Sequence, residues 1–325
     1  MGGDKGASGV EYLLLATAAA VLVIGVASRL APGIGSGTAA SLAQEGTTTT
    51  TVAVLGEVAI RGGAGDAAVW VPAGGEPLIL AARPGEGLVL LDAARRLLDS
   101  VPLEAIAGVD VRQGAGDGSG SSALVVVGDG SRMRAYRLDA PAYRFRELAG
   151  PLPADLTVAG LCLYRSPATD SVSVFPFDRQ GRMVQWELTM SAGRPLTAHR
   201  VRSIDVGGPV TACAADDANG AVFVSESGVG LRRLPAEPGS SEATLIDRIG
   251  AGGGLVAGVD ALAVIDTAEG PGWILASSES DETFSFYRRD AGHEPAGRFP
   301  ASDRVDHCHD TTGIDAAGGF LVCQG

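Results

Sequence analysis

The sequence has little positive charge, few aromatic side chains and little cysteine. Among its 325 residues, 25 Lys and Arg stand against 38 Asp and Glu, so the net charge is −13, which argues against binding to the phosphate backbone of nucleic acids. Aromatic residues make up 5% of the chain, too few for extensive stacking surfaces. Four cysteines in a chain of this length argue against a disulfide-rich scaffold. With 46% hydrophobic residues, 19% charged residues and 47 glycines, the composition predicts a folded chain with many tight turns.

The chain contains one long uncharged apolar run, at residues 12–28 (YLLLATAAAVLVIGVAS). A membrane-spanning helix needs about 20 mostly apolar residues, so this run predicts a hydrophobic α-helix at the short end of that range. In a secretory signal, the small residues of the cleavage site follow the apolar core. Here the small residues 6–9 precede the apolar core, and Glu11 opens it.

This order resembles the N-terminus of the class III (Flp-type) prepilins, which are cleaved after a glycine and then carry Glu-Tyr at the fifth and sixth positions. Cleavage after Gly6 would place Glu11 fifth and Tyr12 sixth. The resemblance implies a leader at residues 1–6, a transmembrane or pilin-like helix at residues 7–30, and self-assembly or pilus subunits as partners. The alternative is a plain N-terminal membrane anchor. Both interpretations predict a location outside the cytoplasm, either membrane-anchored or at the cell surface or secreted.

Residues 31–51 (APGIGSGTAASLAQEGTTTTT) are dominated by Gly, Ala, Ser and Thr and show no apolar period. This composition predicts a flexible linker. The folded domain is expected to extend from residue 52 to residue 325. Residues 52–60 are largely apolar, and we expect them to supply a closing outer strand to the last repeat.

Short β-rich runs separated by Gly, Asp, Pro and Ser fill the rest of the chain, with no long helical period. Six segments share a polar or small residue, a second small residue and then an apolar strand. A four-stranded propeller blade takes roughly 40–50 residues, and small residues suit the crowded propeller axis. The spacing therefore predicts an all-β, six-bladed β-propeller, preceded by the hydrophobic helix and the linker. The leading positions are 66, 110, 159, 211, 260 and 312, separated by 44, 49, 52, 49 and 52 residues.

Several motifs in these repeats resemble the β-propeller phytases. They are GLCLYRSP at residues 160–167, VQWEL at 184–188, FVSE at 223–226 and TGID at 312–315. That family removes phosphate from myo-inositol hexakisphosphate (phytate) and uses Ca²⁺ held by acidic residues at one end of the channel. The resemblance implies a calcium-dependent phosphomonoesterase that acts on phytate or a related phosphate ester. Oxygen ligands bind Ca²⁺, and metal ions offset phosphate charge and lower the pKa of an attacking water.

The motifs, matched position by position, give the candidate site residues. Arg112 and Arg179 stand at phosphate-binding positions, and Arg83 lies beside a third; basic side chains hold phosphates well. The candidate catalytic residues are Arg112, Arg179 and Asp310. The resemblance implies five calcium ligands, which are Asp66, Glu226, Asp260, Asp306 and Asp310.

The sequence also departs from the family pattern, so that several of the family's calcium ligands and phosphate contacts are missing. Ala159 replaces a Tyr, Thr211 replaces a ligand Glu, and Thr312 replaces an Asp. Calcium affinity follows the number of charged ligands, so two hypotheses stay open. One is a phytase-like enzyme, and the other is a catalytically impaired propeller that acts as a pilin-anchored binding or adhesion module. For each Asp taken alone, the alternative to calcium binding is a structural role as a polar residue at a turn or strand end.

The histidines and cysteines near the last repeat leave further alternatives. Residues 307–310 (HCHD) contain zinc-ligand side chains, and the alternative is a solvated loop. Cys162 and Cys213 occupy corresponding positions in neighbouring inner strands, while Cys308 and Cys323 both lie in the last repeat. Outside the cytoplasm both pairs are able to form disulfides. The alternative is four buried thiols, which behave as small hydrophobic side chains.

Overall fold

Strands follow one another throughout the computed structural model, because short apolar runs alternate with turns rich in Gly, Asp and Pro. The structure describes residues 18–27, 39–42 and 50–61 as strands, and residues 65–324 apart from gaps at 95, 116–119, 192–193, 251–252, 257, 267–270, 279–282, 291, 301–312 and 318–319. These described residues contain no helix. Three strands come first along the chain: β1 (Ala18–Ala27), β2 (Ala39–Leu42) and β3 (Thr50–Arg61).

Five four-stranded antiparallel blades come next, and their first strands contact one another in sequence around a common axis. Blade 1 contains β4 (Asp66–Trp70), β5 (Leu78–Arg83), β6 (Gly87–Asp92) and β7 (Leu97–Val101). Blade 2 contains β8 (Ile106–Gln113), β9 (Ser122–Asp129), β10 (Arg132–Asp139) and β11 (Arg144–Glu147), and the short β12 (Leu152–Pro153) also pairs with β10. Blade 3 contains β13 (Gly160–Arg165), β14 (Val172–Phe177), β15 (Arg182–Thr189) and β16 (Thr197–Asp205). Blade 4 contains β17 (Val210–Asp216), β18 (Ala221–Glu226), β19 (Gly230–Pro235) and β20 (Thr244–Arg248). Blade 5 contains β21 (Leu262–Ile265), β22 (Trp273–Ser278), β23 (Thr283–Arg288) and β24 (Pro295–Pro300).

A five-stranded sheet, which we call the closing sheet, completes the ring with strands from both ends of the chain. Its inner strand β25 (Gly313–Ala317) contacts the inner strands β4 and β21. Outward from β25 follow β26 (Phe320–Gln324), then β1, β3 and β2. Residues 52–60 therefore do lie in the sheet of the last repeat, within β3. The prediction of six blades preceded by a helix is wrong. The described residues form five four-stranded blades and a closing sheet, and residues 18–27, which were expected to be helical, form a strand of that sheet.

Within the apolar run near the N-terminus, residues 18–27 form strand β1 and not a membrane or pilin-like helix. Its residues 21–26 (VLVIGV) are mostly β-branched, and β-branched side chains favour strands over helices. β1 pairs with β26 on one edge and with β3 on the other, which satisfies its backbone polar groups in a sheet. Nowhere in the described part of the chain is there a helix long and apolar enough to cross a membrane. The leader expected at residues 1–6 lies outside the described residues, and β2 falls within the expected linker.

The apolar core lies between neighbouring blades. Strand β9 shows this arrangement, because Val125 and Val127 pack with blade 1, whereas Leu124 and Val126 pack with blade 3. Successive side chains of a strand point to opposite faces, so a continuous apolar run serves both neighbours. This packing holds the inner strands in a ring around an axial channel.

The inner strands approach one another closely at one end of the channel. Gly108 has a φ of +75°, and a Cβ at this position would lie 3.0 Å from the Cα of Gly160. A Cβ at Gly160 would in turn lie 2.4 Å from the ring of Phe177. Glycine is therefore required at both positions, and the channel is narrow where β8 and β13 meet.

Candidate functional site

A narrow cavity of about 50 Å³ lies at the starts of the inner strands. Asp66, Ala159, Thr211 and Asp260 line it, together with Phe177. The first four are leading positions of the sequence repeat, so equivalent positions of different blades meet at the same end of the channel. The structure thus places Asp66 and Asp260, two of the predicted calcium ligands, at one cavity.

Both carboxylate oxygens of Asp66 accept hydrogen bonds from the backbone. Oδ1 accepts from the N–H of Ala67 and Oδ2 from the N–H of Val109, each at 2.9 Å. Burial raises the pKa of Asp66 to about 8; the backbone hydrogen bonds oppose this rise, and Asp110 and Asp315 add to it. Asp66 therefore links blade 1 to blade 2, and its oxygens are already engaged.

Asp260 is the more available of the two carboxylates. Its backbone N–H donates to Ser277 Oγ at 3.3 Å, while its half-buried side chain has no hydrogen bond or ion pair within the described residues. Thr211, at the position where the resemblance implies a ligand Glu, instead donates its hydroxyl to the carbonyl of Val259 at 2.5 Å. Among the described residues that line the narrow cavity, Asp260 is therefore the one carboxylate whose oxygens have no hydrogen-bond partner.

Glu226 does not line the narrow cavity. Its side chain is buried, and one carboxylate oxygen accepts a hydrogen bond from Nε of Arg232. The other oxygen lies against the backbone of Gly207 and Gly208, where a Cβ on Gly208 would approach it to 2.9 Å. This ion pair holds Glu226 within blade 4, away from Asp66 and Asp260.

Arg112 lies towards the opposite end of the channel, on the wall of a wider cavity of about 340 Å³. Its guanidinium forms ion pairs with Asp110 at 2.9 Å and Asp217 at 3.1 Å, and donates to the carbonyl of Leu163. Burial opposes the charged form of Arg112, but the two carboxylates outweigh it and raise the pKa of the guanidinium. The predicted phosphate contact is thus engaged by protein groups, and it is not among the residues that line the narrow cavity.

The other two predicted phosphate-binding residues differ in availability. Arg83, at the end of β5, forms an ion pair with Glu86 at 2.6 Å, and its buried Nε has no described hydrogen-bond partner. Arg179 is exposed in the turn that follows β14, directly after Phe177 and Asp178. Asp178 organises this turn, since its Oδ1 accepts two backbone N–H groups at 2.9 Å. Arg179 therefore follows closely in the chain after Phe177, which lines the narrow cavity, and its guanidinium has no partner in the described part of the chain.

Asp306 and Asp310 lie outside the described residues. The same holds for the HCHD segment and for Cys308, so the zinc and second-disulfide alternatives stay predictions. Cys162 and Cys213 do form a disulfide, with their Cα atoms 5.9 Å apart.

Sequence reasoning missed two partly buried carboxylates of the channel, Asp110 and Asp315. Burial raises the pKa of both; that of Asp315 rises to about 6, partly because Asp110 is close. Both residues stand inside repeat segments, Val-Asp-Val-Arg and Thr-Gly-Ile-Asp. A search for Asp within the apolar part of each repeat would have found them.

The described residues do not fit a calcium centre. Ca²⁺ takes six to eight oxygen ligands in proteins, but of the described residues only Asp66 and Asp260 bring carboxylates to the narrow cavity. Both oxygens of Asp66 are already hydrogen-bonded to backbone N–H groups. Within the described ranges, no group of three or more His, Cys, Asp or Glu side chains is arranged to hold a metal ion.

Fold and site together define a β-propeller whose axial channel carries carboxylates from several blades. The chain belongs to the Phytase family, whose profile matches residues 11–324. It is similar to the 3-phytase of Bacillus subtilis (strain 168), with 27% identity over 164 residues, which is 50% of this chain and 43% of that protein. The matched region is thus less than half of the relative's length. Among solved structures, the chain is similar to one chain of "Crystal Structure of Mitotic Checkpoint Complex", with 15% identity, a TM-score of 0.46, and coverage of 77% of this chain and 66% of that one.

Proposed function

We propose that this protein is a phytase-like phosphomonoesterase that releases phosphate from phytate or a related phosphate ester. The observation that carries the proposal is the family match over residues 11–324, which includes every repeat of the propeller. Similarity to a 3-phytase supports the same reaction class. Asp260, whose carboxylate has no partner among the described residues, lines the narrow cavity, and the exposed Arg179 stands in the turn after Phe177, which lines the same cavity.

In the proposed reaction, Asp260 accepts a proton from a water molecule whose oxygen attacks phosphorus. The bond between phosphorus and the ester oxygen breaks, and the leaving alkoxide takes a proton from solvent, which gives an alcohol and inorganic phosphate. Arg179 and Arg83 bind the phosphate oxygens and offset the charge that develops on them. Arg112 and Glu226 have no part in this scheme, because ion pairs with largely buried partners engage both, whereas the partner of Arg83, Glu86, is exposed.

The test is phosphate release from phytate by the full chain, with calcium titrated from none to millimolar because the family resemblance implies it. We expect Asp260→Asn to lower kcat by about 10²–10⁴-fold, the usual contribution of a general base. Arg179→Ala should raise KM more than it lowers kcat. The control is Asp170→Asn, at a side chain that is 73% exposed, which should leave both constants unchanged. No release by a folded protein at any calcium concentration, or full activity of Asp260→Asn, contradicts the proposal.

A second candidate, a binding module that no longer turns over substrate, is favoured by one observation. Three other residues that line the narrow cavity offer no available charge. Asp66 accepts hydrogen bonds from the backbone, Thr211 is neutral and donates its hydroxyl to a carbonyl, and Ala159 has no polar group in its side chain. Calorimetry with inositol hexakisphosphate separates the two candidates. Saturable binding without phosphate release supports the binding module, and release supports the enzyme.

We also propose that the protein acts outside the cytoplasm. The Cys162–Cys213 disulfide supports this location, since protein disulfides persist in oxidising compartments and are rare in the cytosol. Cell fractionation followed by thiol labelling tests the proposal. A cytoplasmic protein with both thiols free would contradict it.

A further inference from the structure

Side chains connect neighbouring inner strands at five of the six contacts around the axis within the described residues, and we call these connections axial ties. Three are carboxylates, one is a disulfide and one is a hydroxyl. The ties run from Asp315 to Val69, Asp66 to Val109, Asp110 to Leu163, Cys162 to Cys213 and Thr211 to Val259. They connect β25 to β4, β4 to β8, β8 to β13, β13 to β17, and β17 to the segment before β21.

The three carboxylate ties share one geometry. In each, one oxygen accepts the N–H of the next residue in its own strand, and the other accepts an N–H from the inner strand of the next blade at 2.7 to 2.9 Å. An inner strand has no strand partner on its axial side, and a buried N–H without an acceptor is costly. The carboxylates satisfy these donors with both of their oxygens.

The disulfide is the covalent member of the set. Cys162 on β13 is fully buried, and Cys213 on β17 lines both channel cavities. The two residues are 51 positions apart in the sequence, so the bond restricts a long loop of the unfolded chain. It joins blades 3 and 4, which share no carboxylate tie of this geometry among the described residues.

We infer that the axial ties, and not a bound divalent cation, hold this propeller closed at its axis. At Asp66, Asp110 and Asp315, one carboxylate oxygen accepts an N–H from the next blade and the other accepts an N–H from its own strand. The oxygens that a cation would need therefore already have backbone donors. The folded state is therefore stabilised by reducible and carboxylate-based links and needs no calcium. The inference concerns the stability of the fold and does not rest on the proposed phosphatase activity.

Thermal unfolding of the full chain tests the inference. Neither a calcium chelator nor millimolar calcium should shift the Tm by more than about 2 °C, because a ligand stabilises a protein only by binding its folded state. A phosphine reductant should lower the Tm by roughly 5–10 °C, the effect of losing one native disulfide in a chain of this size. In that step the S–S bond accepts two electrons and two protons to give two thiols, and the phosphine becomes its oxide with oxygen from water. A rise of several degrees with calcium, reversed by the chelator, overturns the inference.

Cysteine variants show which pair of cysteines is responsible for the fall in Tm on reduction. In Cys308→Ser/Cys323→Ser the reductant should still lower the Tm, whereas Cys162→Ser/Cys213→Ser should start from the lower Tm and no longer respond. The reverse pattern overturns the role of the Cys162–Cys213 tie. If Cys162→Ser/Cys213→Ser does not fold, the Tm of the reduced natural chain is compared instead with that of reduced Cys308→Ser/Cys323→Ser, and the two should be equal.

Asp315→Asn tests a carboxylate tie, at a residue outside the predicted calcium ligands. The amide places an NH₂ group against one of the two backbone N–H donors, Val69 or Ala316. We expect the Tm to fall by several degrees with calcium present or absent, while Asp170→Asn at the surface leaves it unchanged. An unchanged Tm for Asp315→Asn overturns the role of the carboxylate ties.

Discussion

Asp has three different roles in this protein, and the surroundings of each side chain decide which one applies. Asp315 bonds to two backbone N–H groups, Asp216 is buried against an arginine, and Asp260 is half-buried at a cavity. Asp66 and Asp260 could be predicted from the repeat, because equivalent positions of the blades meet. The roles of Asp110 and Asp315 could not be predicted, because they depend on which N–H of the next blade lies opposite.

The ion pair between Asp216 and Arg289 is expected to be a major support between blades 4 and 5. Arg289 donates to the two Asp216 oxygens at 2.6 and 2.7 Å, and the side chains are 0% and 8% exposed. Asp216→Asn leaves the guanidinium without its buried charge partner, which costs about 3–5 kcal/mol. Urea unfolding at pH 7 measures this loss. Asp290→Asn is the control, because its pair with Arg288 is exposed and screened by solvent.

The same ion pair predicts a pH dependence. Burial acts to raise the pKa of Asp216, but hydrogen bonds from Arg289 and Asn219 outweigh it and hold the pKa below its usual 3.8. A carboxyl with a lowered pKa in the folded state stabilises the fold above its unfolded pKa, and this contribution is lost as the pH falls through the folded value. The natural chain and Asp216→Asn should therefore differ most at neutral pH and converge below about pH 4. A constant difference down to pH 3 contradicts this expectation.

At the scale of elements, the sequence repeat predicted the positions of the inner strands but did not predict the closing sheet. Each of the six repeat positions lies inside an inner strand or within two residues of its start, yet only five of these strands begin a four-stranded blade. The interpretation of β1 as a helix failed because a continuous apolar run fits a buried strand as well as a helix. Its partner β26 lies at the other end of the chain, and local sequence gives no sign of that pairing.

Removal of β1 should weaken the closing sheet. A chain without residues 1–49 keeps β3 but loses β1, which lies between β3 and β26, together with the short edge strand β2, so β26 gains an unpaired edge. We expect a lower Tm and faster proteolysis near residues 313–324. A chain without residues 1–17 is the matched control, because it keeps every described strand. Equal Tm values for both truncations would show that β1 does not support the sheet.

At the scale of the whole molecule, the net charge of −13 opposes the approach of a polyanionic substrate. Salt screens this repulsion, since the Debye length is about 10 Å at 0.1 M ionic strength. We expect kcat/KM for phytate to rise about 2–5-fold as NaCl increases from about 10 to 150 mM. A phosphate monoester with a single phosphate is the control and should respond less. A steady fall for phytate would show that local pairing with arginine outweighs the repulsion.

The pairing of β1 with β26 also determines when this protein is able to finish folding. Val21 lies opposite Gln324, so β1 is synthesised long before its partner β26. During translation the ring stays open, and the apolar β1 has no permanent partner on one edge. Late pairing between distant segments folds slowly and leaves strands open to misassociation. Chaperones that shield this strand on the ribosome, and slower translation, should therefore raise the yield of native protein more than any change to the blades themselves.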